Sequence, residues 1–218
     1  MSTVELGNLE ANQRFLLESG VITPGVRVLE IGSGRGSLLK WLIDQGADAR
    51  GIEVSAERIA ESRRLYGDLP LQLTDGAQLP FTDHAFDLVV SFDVFEHIPD
   101  SDAHLREVAR VLRPRGAYLL QTPNKWTNTV FETIRWRSFT TWREIHCALH
   151  TAGQLERRLA AHGFTAEFAN VPVVTGFFLA KIRRYLGWPG VAAVRVLNPD
   201  KLPRRWRTNF YVRARRGV

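Results

Sequence analysis

The chain has 218 residues, enough for one sizeable core, and its 44% hydrophobic and 24% charged residues strike an ordinary globular balance. A single cysteine, Cys147, excludes an internal disulfide and a cysteine-built metal cluster and fits a reducing compartment. The net charge of +6 is unevenly spread: 11 Lys or Arg and one acid, Asp200, lie from Lys181 onward, so the basic end suits an anionic partner while the preceding body is mildly acidic.

Residues 1–20 read as an acidic-leaning amphipathic stretch, not as a signal peptide, and no apolar run approaches the roughly 20 residues needed to span a bilayer. A cytoplasmic protein is expected, with membrane-peripheral placement as its variant. Residues 5–19 form a helix in this reading, with Leu6, Leu9, Phe15, Leu16 and Leu17 as its apolar set, ended by Gly20. Residues 26–31 make the first strand. Glycines follow at 32, 34 and 36, and then a helix over 37–45. Residues 49–54 are a second strand, Ser55 caps a helix to Tyr66, and 70–74 form a short third strand.

Residues 86–92, FDLVVSF, are nearly continuous in apolar side chains, as a strand covered on both faces must be. A helix over 100–112 ends at the turn Arg113-Pro114-Arg115-Gly116, and 117–122 are the fifth strand. Residues 123–150 break the alternation and hold Trp126, Phe131, Trp136, Phe139 and Trp142; they read as one or two short helices over the sheet. Thr151 and Gln154 have the spacing of a capping box, opening a helix to about His162. Residues 164–171 are a sixth strand. An amphipathic helix over 175–188 places Phe178, Leu179, Ile182, Tyr185 and Leu186 on one face, flanked by Lys181, Arg183 and Arg184, and breaks at Pro189-Gly190. Residues 209–215 are the last strand. Strands alternating with helices argue a parallel α/β sheet.

In such sheets ligands bind beyond the carboxyl ends of the strands. Those ends carry Glu30 with the glycine turn, then Glu53, then Asp75-Gly76-Ala77, then Asp93, Glu96 and His97, then Thr122-Pro123-Asn124. The glycines let a backbone pass close to a ligand, and the following helix offers unpaired N–H groups. The third glycine comes one residue earlier than in the dinucleotide fingerprint. Glu30 would repel a pyrophosphate and suits an ammonium group. Glu53 can accept two hydrogen bonds from a ribose diol.

The ordered set VLEIGSGRG, GIEVS, TDGAQLPFTDHAFDLVVSFDVFEHI and LREVARVLRPRGAYLLQTPN resembles the class I S-adenosylmethionine-dependent methyltransferases over roughly residues 20–125. It is similar to the branch acting on small molecules and lipids, including the ubiquinone-biosynthesis O-methyltransferases. The resemblance implies an α/β, Rossmann-like, doubly wound seven-stranded sheet with the last strand antiparallel. One domain would span 1–218, with a cofactor-binding core over 20–125 and substrate-cover insertions over 126–150 and 175–207. The implied cofactor is S-adenosyl-L-methionine, and no metal is expected. Glu30 and the backbone of Gly32, Ser33, Gly34 and Gly36 would hold its methionyl amine and carboxylate, and Glu53 its ribose. Asp75, in the turn with Gly76, would accept from the adenine amino group, and Ala77 would supply an N–H to the ring. Val54 and Leu79 would sandwich the adenine. Phe92, Asp93 and His97 would form the floor beneath the sulfonium.

The acceptor implied is a small molecule or lipid, with oxygen as the preferred target atom. His97, His150 and His146, preferred in that order, are the candidate bases, because imidazole titrates near neutral pH. Alternatives are N- or C-methylation, an NAD-dependent oxidoreductase, and a non-catalytic cofactor-binding domain. The early third glycine and Asp75 count against the oxidoreductase, and histidines near the sulfonium count against a non-catalytic domain. Cys147 is expected to pack inside. The basic end is expected to contact an anionic membrane surface or to cover the sheet edge. Nucleic acid is the weaker partner, since no RNA-binding module is recognisable around Trp206, Phe210 and Tyr211.

Overall fold

The computed structural model describes residues 7–74 and 78–217. Helix α1 (Leu9–Ser19) is capped by the Asn8 side chain and buries Ala11, Asn12, Phe15 and Leu16. Leu17, expected in its apolar set, is 59% exposed, because it lies about 100° round the helix from Leu16. Leu6 lies outside the described residues. Strand β1 (Arg27–Ile31) leads into α2 (Ser37–Asp44), then β2 (Asp48–Glu53), α3 (Ala56–Tyr66) and β3 (Leu71–Leu73). Strand β4 (Phe86–Phe92), helix α4 (Ser101–Val111) and strand β5 (Leu112–Pro123) follow. Helix α5 (Lys125–Trp136), helix α6 (Ala152–Ala161), strand β6 (Phe164–Ala169), helix α7 (Gly176–Leu197) and strand β7 (Asn209–Arg216) complete the order.

The seven strands form one sheet in the order β3-β2-β1-β4-β5-β7-β6. Strands β1 to β5 pair in parallel, and β7 is antiparallel to both β5 and β6. The seven-stranded, last-strand-antiparallel expectation is therefore met. Order reverses between β1 and β4, so the crevice opens beyond Ile31 and Phe92. The run FDLVVSF explains itself in this setting. Val89 joins a core cluster with Leu105 and Val108 of α4 and Leu155 and Leu159 of α6. Leu88 and Val90 point to the other face, into a cluster with Phe15, Leu16, Leu39 and Leu42.

Two local expectations need correction. The turn at 113–116 lies inside β5 and not before it. Leu112 pairs with Phe86 and Ala117 with Leu88, so four residues bulge out where two partner steps pass. Arg115 takes a positive φ of 63° there. The break in α7 falls at Gly187 (φ 65°, ψ −164°), not at Pro189-Gly190. Proline disfavours helical backbone in the chain just before it, yet sits easily in a first turn. The helix therefore stops at Gly187 and resumes through Pro189 to Leu197.

Candidate active site

The glycine turn begins at the end of β1. Gly32 has φ 75° and Gly36 has φ 80°, a region side chains avoid. A Cβ on Gly32 would collide with Val94, and one on Gly36 with Ser62. The turn is pinned to β2: Gly32 and Ser33 N–H groups donate to the Ile52 carbonyl at 2.9 and 3.0 Å. Gly34 N–H donates to Glu53 Oε2 at 2.8 Å, and Ser55 N–H to Glu53 Oε1 at 2.9 Å. Glu53 is thus buried and already oriented by backbone donors, with Arg58 at 3.6 Å.

Glu30 is also buried, and its Oε2 has no hydrogen-bond partner among the described residues. Burial pushes its carboxyl up to about 7; Ser33 opposes the rise and the charge of Glu53 adds to it. These residues wall a cavity of about 520 Å³ that also includes Val54 and Phe92. Leu79 does not line this cavity. It packs in the core, and its N–H donates to Glu107 Oε2 at 2.8 Å. The adenine-facing role expected of it has no support in this placement. Asp75, Gly76 and Ala77 lie outside the described residues.

A second cavity, also of about 520 Å³, lies under the cover helices. Glu96 and His146 are in its floor, and Asn128 and Phe131 of α5 face Phe178 and Lys181 of α7 across it. Asp93 and His97 belong to the walls of both cavities. Asp93 follows β4 with a positive φ of 54°, held by its N–H donating to Gln121 Oε1 at 2.8 Å. Its side chain opens onto the cavities, and desolvation by the surrounding protein raises its carboxyl above the ordinary range against the pull of Lys181.

His97 ends a short 3-10 turn, Phe95–His97. Its Nδ1 is 2.7 Å from the Ile145 carbonyl oxygen. A carbonyl only accepts, so Nδ1 carries the hydrogen and neutral His97 keeps its lone pair on Nε2. The ring centre of His146 is 5.0 Å away, and its Nδ1 is 3.1 Å from Asn128 Nδ2. Burial, with His97 beside it, pushes His146 down to about 4, so it is neutral at pH 7. Glu96 accepts from Thr122 Oγ1 at 3.2 Å, and burial followed by the Asp93 charge pushes it up to about 8. Donor atoms of Glu96, His97 and His146 lie within 4.8 Å of one another, a set able to hold a divalent cation.

The structure brings His97 and His146 together but not His150. That ring is buried against Phe95, at 5.5 Å between centres, and borders a separate depression with Asp102, Arg157 and Arg158. The isolated bridge from Asn124 to His150 fixes it there. His150 is therefore no base for this site. Cys147 is exposed and not packed inside; its Sγ lies 3.7 Å from the Glu96 carbonyl oxygen, which also accepts from Ala148 N–H at 2.9 Å. Gln121, Asn128, Glu132 and Asn8 also line the second cavity. Strand-end reasoning misses them, because three of the four sit on helices or caps whose docking the sequence does not spell out.

Residues 29–120 match the family of methyltransferase domains. A protein of Mycolicibacterium smegmatis described as a probable S-adenosylmethionine-dependent methyltransferase is 32% identical over 143 residues, 66% of this chain and 53% of its own. Demethylmenaquinone methyltransferase of Beutenbergia cavernae is 34% identical over 104 residues, 48% of this chain and 43% of its own. The chain spans about half the length of the curated relatives it matches. The fold is that of magnesium protoporphyrin IX methyltransferase from Synechocystis PCC 6803, solved with bound SAH: the TM-score is 0.64 at 20% identity, over 96% of this chain and 83% of that one. The donor set fits the same cofactor, with an unpartnered buried carboxylate oxygen for an ammonium group and glycines, where no Cβ fits, in the turn for close approach. The chain carries a class I S-adenosylmethionine-dependent methyltransferase domain, and S-adenosyl-L-methionine is its cofactor.

Proposed function

We propose that this domain methylates an oxygen atom of a small, lipophilic acceptor. The observation that carries the reading is the shared wall: a cavity suited to the cofactor and an aromatic-lined cavity meet at Asp93 and His97. In the first, Glu30 would receive the ammonium group, the glycine-turn backbone would hold the methionyl part, and Glu53 would accept from the ribose hydroxyls. Phe92, Asp93 and His97 would form the floor, and Asp75 would accept from the adenine amino group. The cofactor supplies an electrophilic methyl group.

The chain's own work is positioning, exclusion of water and one proton. Phe131, Phe178 and Tyr185 give the second cavity the walls of a site for a flat apolar molecule. The acceptor hydroxyl hydrogen passes to His97 Nε2, whose other nitrogen is committed to the Ile145 carbonyl. His146, uncharged, adds no repulsion to the imidazolium that forms. His97 would thus hold the proton released from the acceptor oxygen, while the cofactor, held against the shared wall, would supply the methyl group that replaces it.

Two measurements test this. Calorimetry should show binding of S-adenosylhomocysteine and none of NAD. Release of S-adenosylhomocysteine over a panel of catechols and apolar phenols should then fall by about 10²–10⁴ in kcat for His97→Ala, the usual contribution of a positioned base, with thioether affinity retained. Binding of NAD in place of the thioether, or full turnover by the variant, contradicts the reading.

A further inference from the structure

The cover helices leave an apolar surface that no part of the described fold covers. On α5, Trp126, Val130 and Ile134 recur every fourth residue and are 58, 61 and 52% exposed. They lie about 100° round the helix from Thr127, Phe131 and Arg135, which line the acceptor cavity. The stripe is therefore the outer border of that cavity's wall. Helix α7 forms the facing wall, and the Phe131 and Tyr185 rings meet edge to face at 6.1 Å. Phe177 and Tyr185 line the cavity yet remain 37 and 36% exposed, which marks its mouth. Just past the kink, Trp188 is 61% exposed, with the Arg183 guanidinium 4.3 Å from its ring centre.

The charge around this surface has one sign. The two helices carry Lys125, Arg135, Lys181, Arg183, Arg184 and Arg195 against one acid, Glu132. Glu132 is buried and held by Arg135 and by the Trp136 indole N–H, so it presents no negative charge outward. Tryptophans and aliphatic side chains ringed by cations match the boundary of a bilayer, where apolar side chains enter the acyl region and cations meet phosphate. RNA would use the cations and leave Val130 and Ile134 idle. A second copy of the chain would bring the same positive charge against itself.

We propose that the outer face of α5 and the kink of α7 dock this domain on an anionic lipid bilayer, with the mouth of the acceptor cavity beside the membrane. The docking stands apart from the methyl-transfer reading; only the delivery of a lipophilic acceptor through that mouth rests on it.

The test is co-sedimentation of the full chain with phosphatidylcholine vesicles and with vesicles that also contain phosphatidylglycerol. Partition onto the anionic vesicles should be at least about tenfold stronger and should fall with added salt. The double variant Val130→Asp/Ile134→Asp should lose it while keeping wild-type affinity for S-adenosylhomocysteine, which shows that its fold is intact. Trp188→Ala should weaken it several-fold. Equal partition onto both vesicles, or none, overturns the proposal, as does unchanged binding by the double variant. So does a dimer in light scattering that the double variant dissolves, or an RNA oligonucleotide that displaces the protein from vesicles and binds the double variant as well as wild type. Wild-type protein that transfers methyl groups but does not partition onto anionic vesicles sinks the docking alone; wild-type protein that partitions onto them but binds no thioether sinks the functional reading alone.

Discussion

In the proposed function, Glu30 is the side chain that couples the fold to its ligand. Buried without a partner on Oε2, its carboxyl is raised to about 7, so the free protein holds a substantial protonated fraction at neutral pH. An ammonium group favours the carboxylate, so binding must lower that value and release a proton. Affinity for S-adenosylhomocysteine should fall as pH drops below 7, approaching tenfold per unit at the acidic limit. Calorimetry near pH 6.5 in buffers of different ionisation enthalpy should show the released proton, and Glu30→Gln should weaken binding by about 2 kcal/mol and flatten the profile. A profile level from pH 6 to 8 in wild type would remove Glu30 from the ammonium site. Glu30 and Glu53 are legible in the sequence because each is an acid set in or closing an apolar run at the carboxyl end of a strand. The order His97, His150, His146 read from the sequence misplaces His150: what parts it from His97 is the path of residues 145–150 over Glu96, set by the Ala148 and His97 hydrogen bonds.

Among the elements, those whose signals are local are the ones the sequence announces. The Thr151 hydroxyl accepts from Gln154 N–H at 3.3 Å and the Gln154 side chain accepts from Thr151 N–H at 2.9 Å, the reciprocal cap expected from spacing. Thr151→Ala should cost about 1 kcal/mol in denaturant unfolding; a loss near zero would mean that tertiary packing alone holds α6. The α7 kink was less legible, because proline acts on the residues before it and glycine absorbs the turn. The exposed stripe of α5 was equally hidden. Trp126 and Trp136 announce an aromatic segment, but which face is covered depends on how α5 meets α7. The bulge at 113–116 read as a turn because Arg-Pro-Arg-Gly is turn chemistry; pairing of Leu112 with Phe86 extends the strand across it.

For the whole molecule, two apolar cores on opposite faces of one sheet fix where β1 and β4 end, and the first cavity lies in the crevice beyond those ends. Helices α5 and α7 add the second cavity, and both cavities close on Asp93 and His97. The core and the lining of the first cavity are readable from strand ends and glycines; the second cavity, built by helices that contact one another over long sequence distances, is not. The most direct measurement is a crystal structure of the protein with S-adenosylhomocysteine. The account predicts its ammonium group on Glu30, its ribose on Glu53 and its sulfur turned toward Asp93 and His97. A thioether bound with its ribose away from Glu53, or with its sulfur facing away from that shared wall, would contradict it.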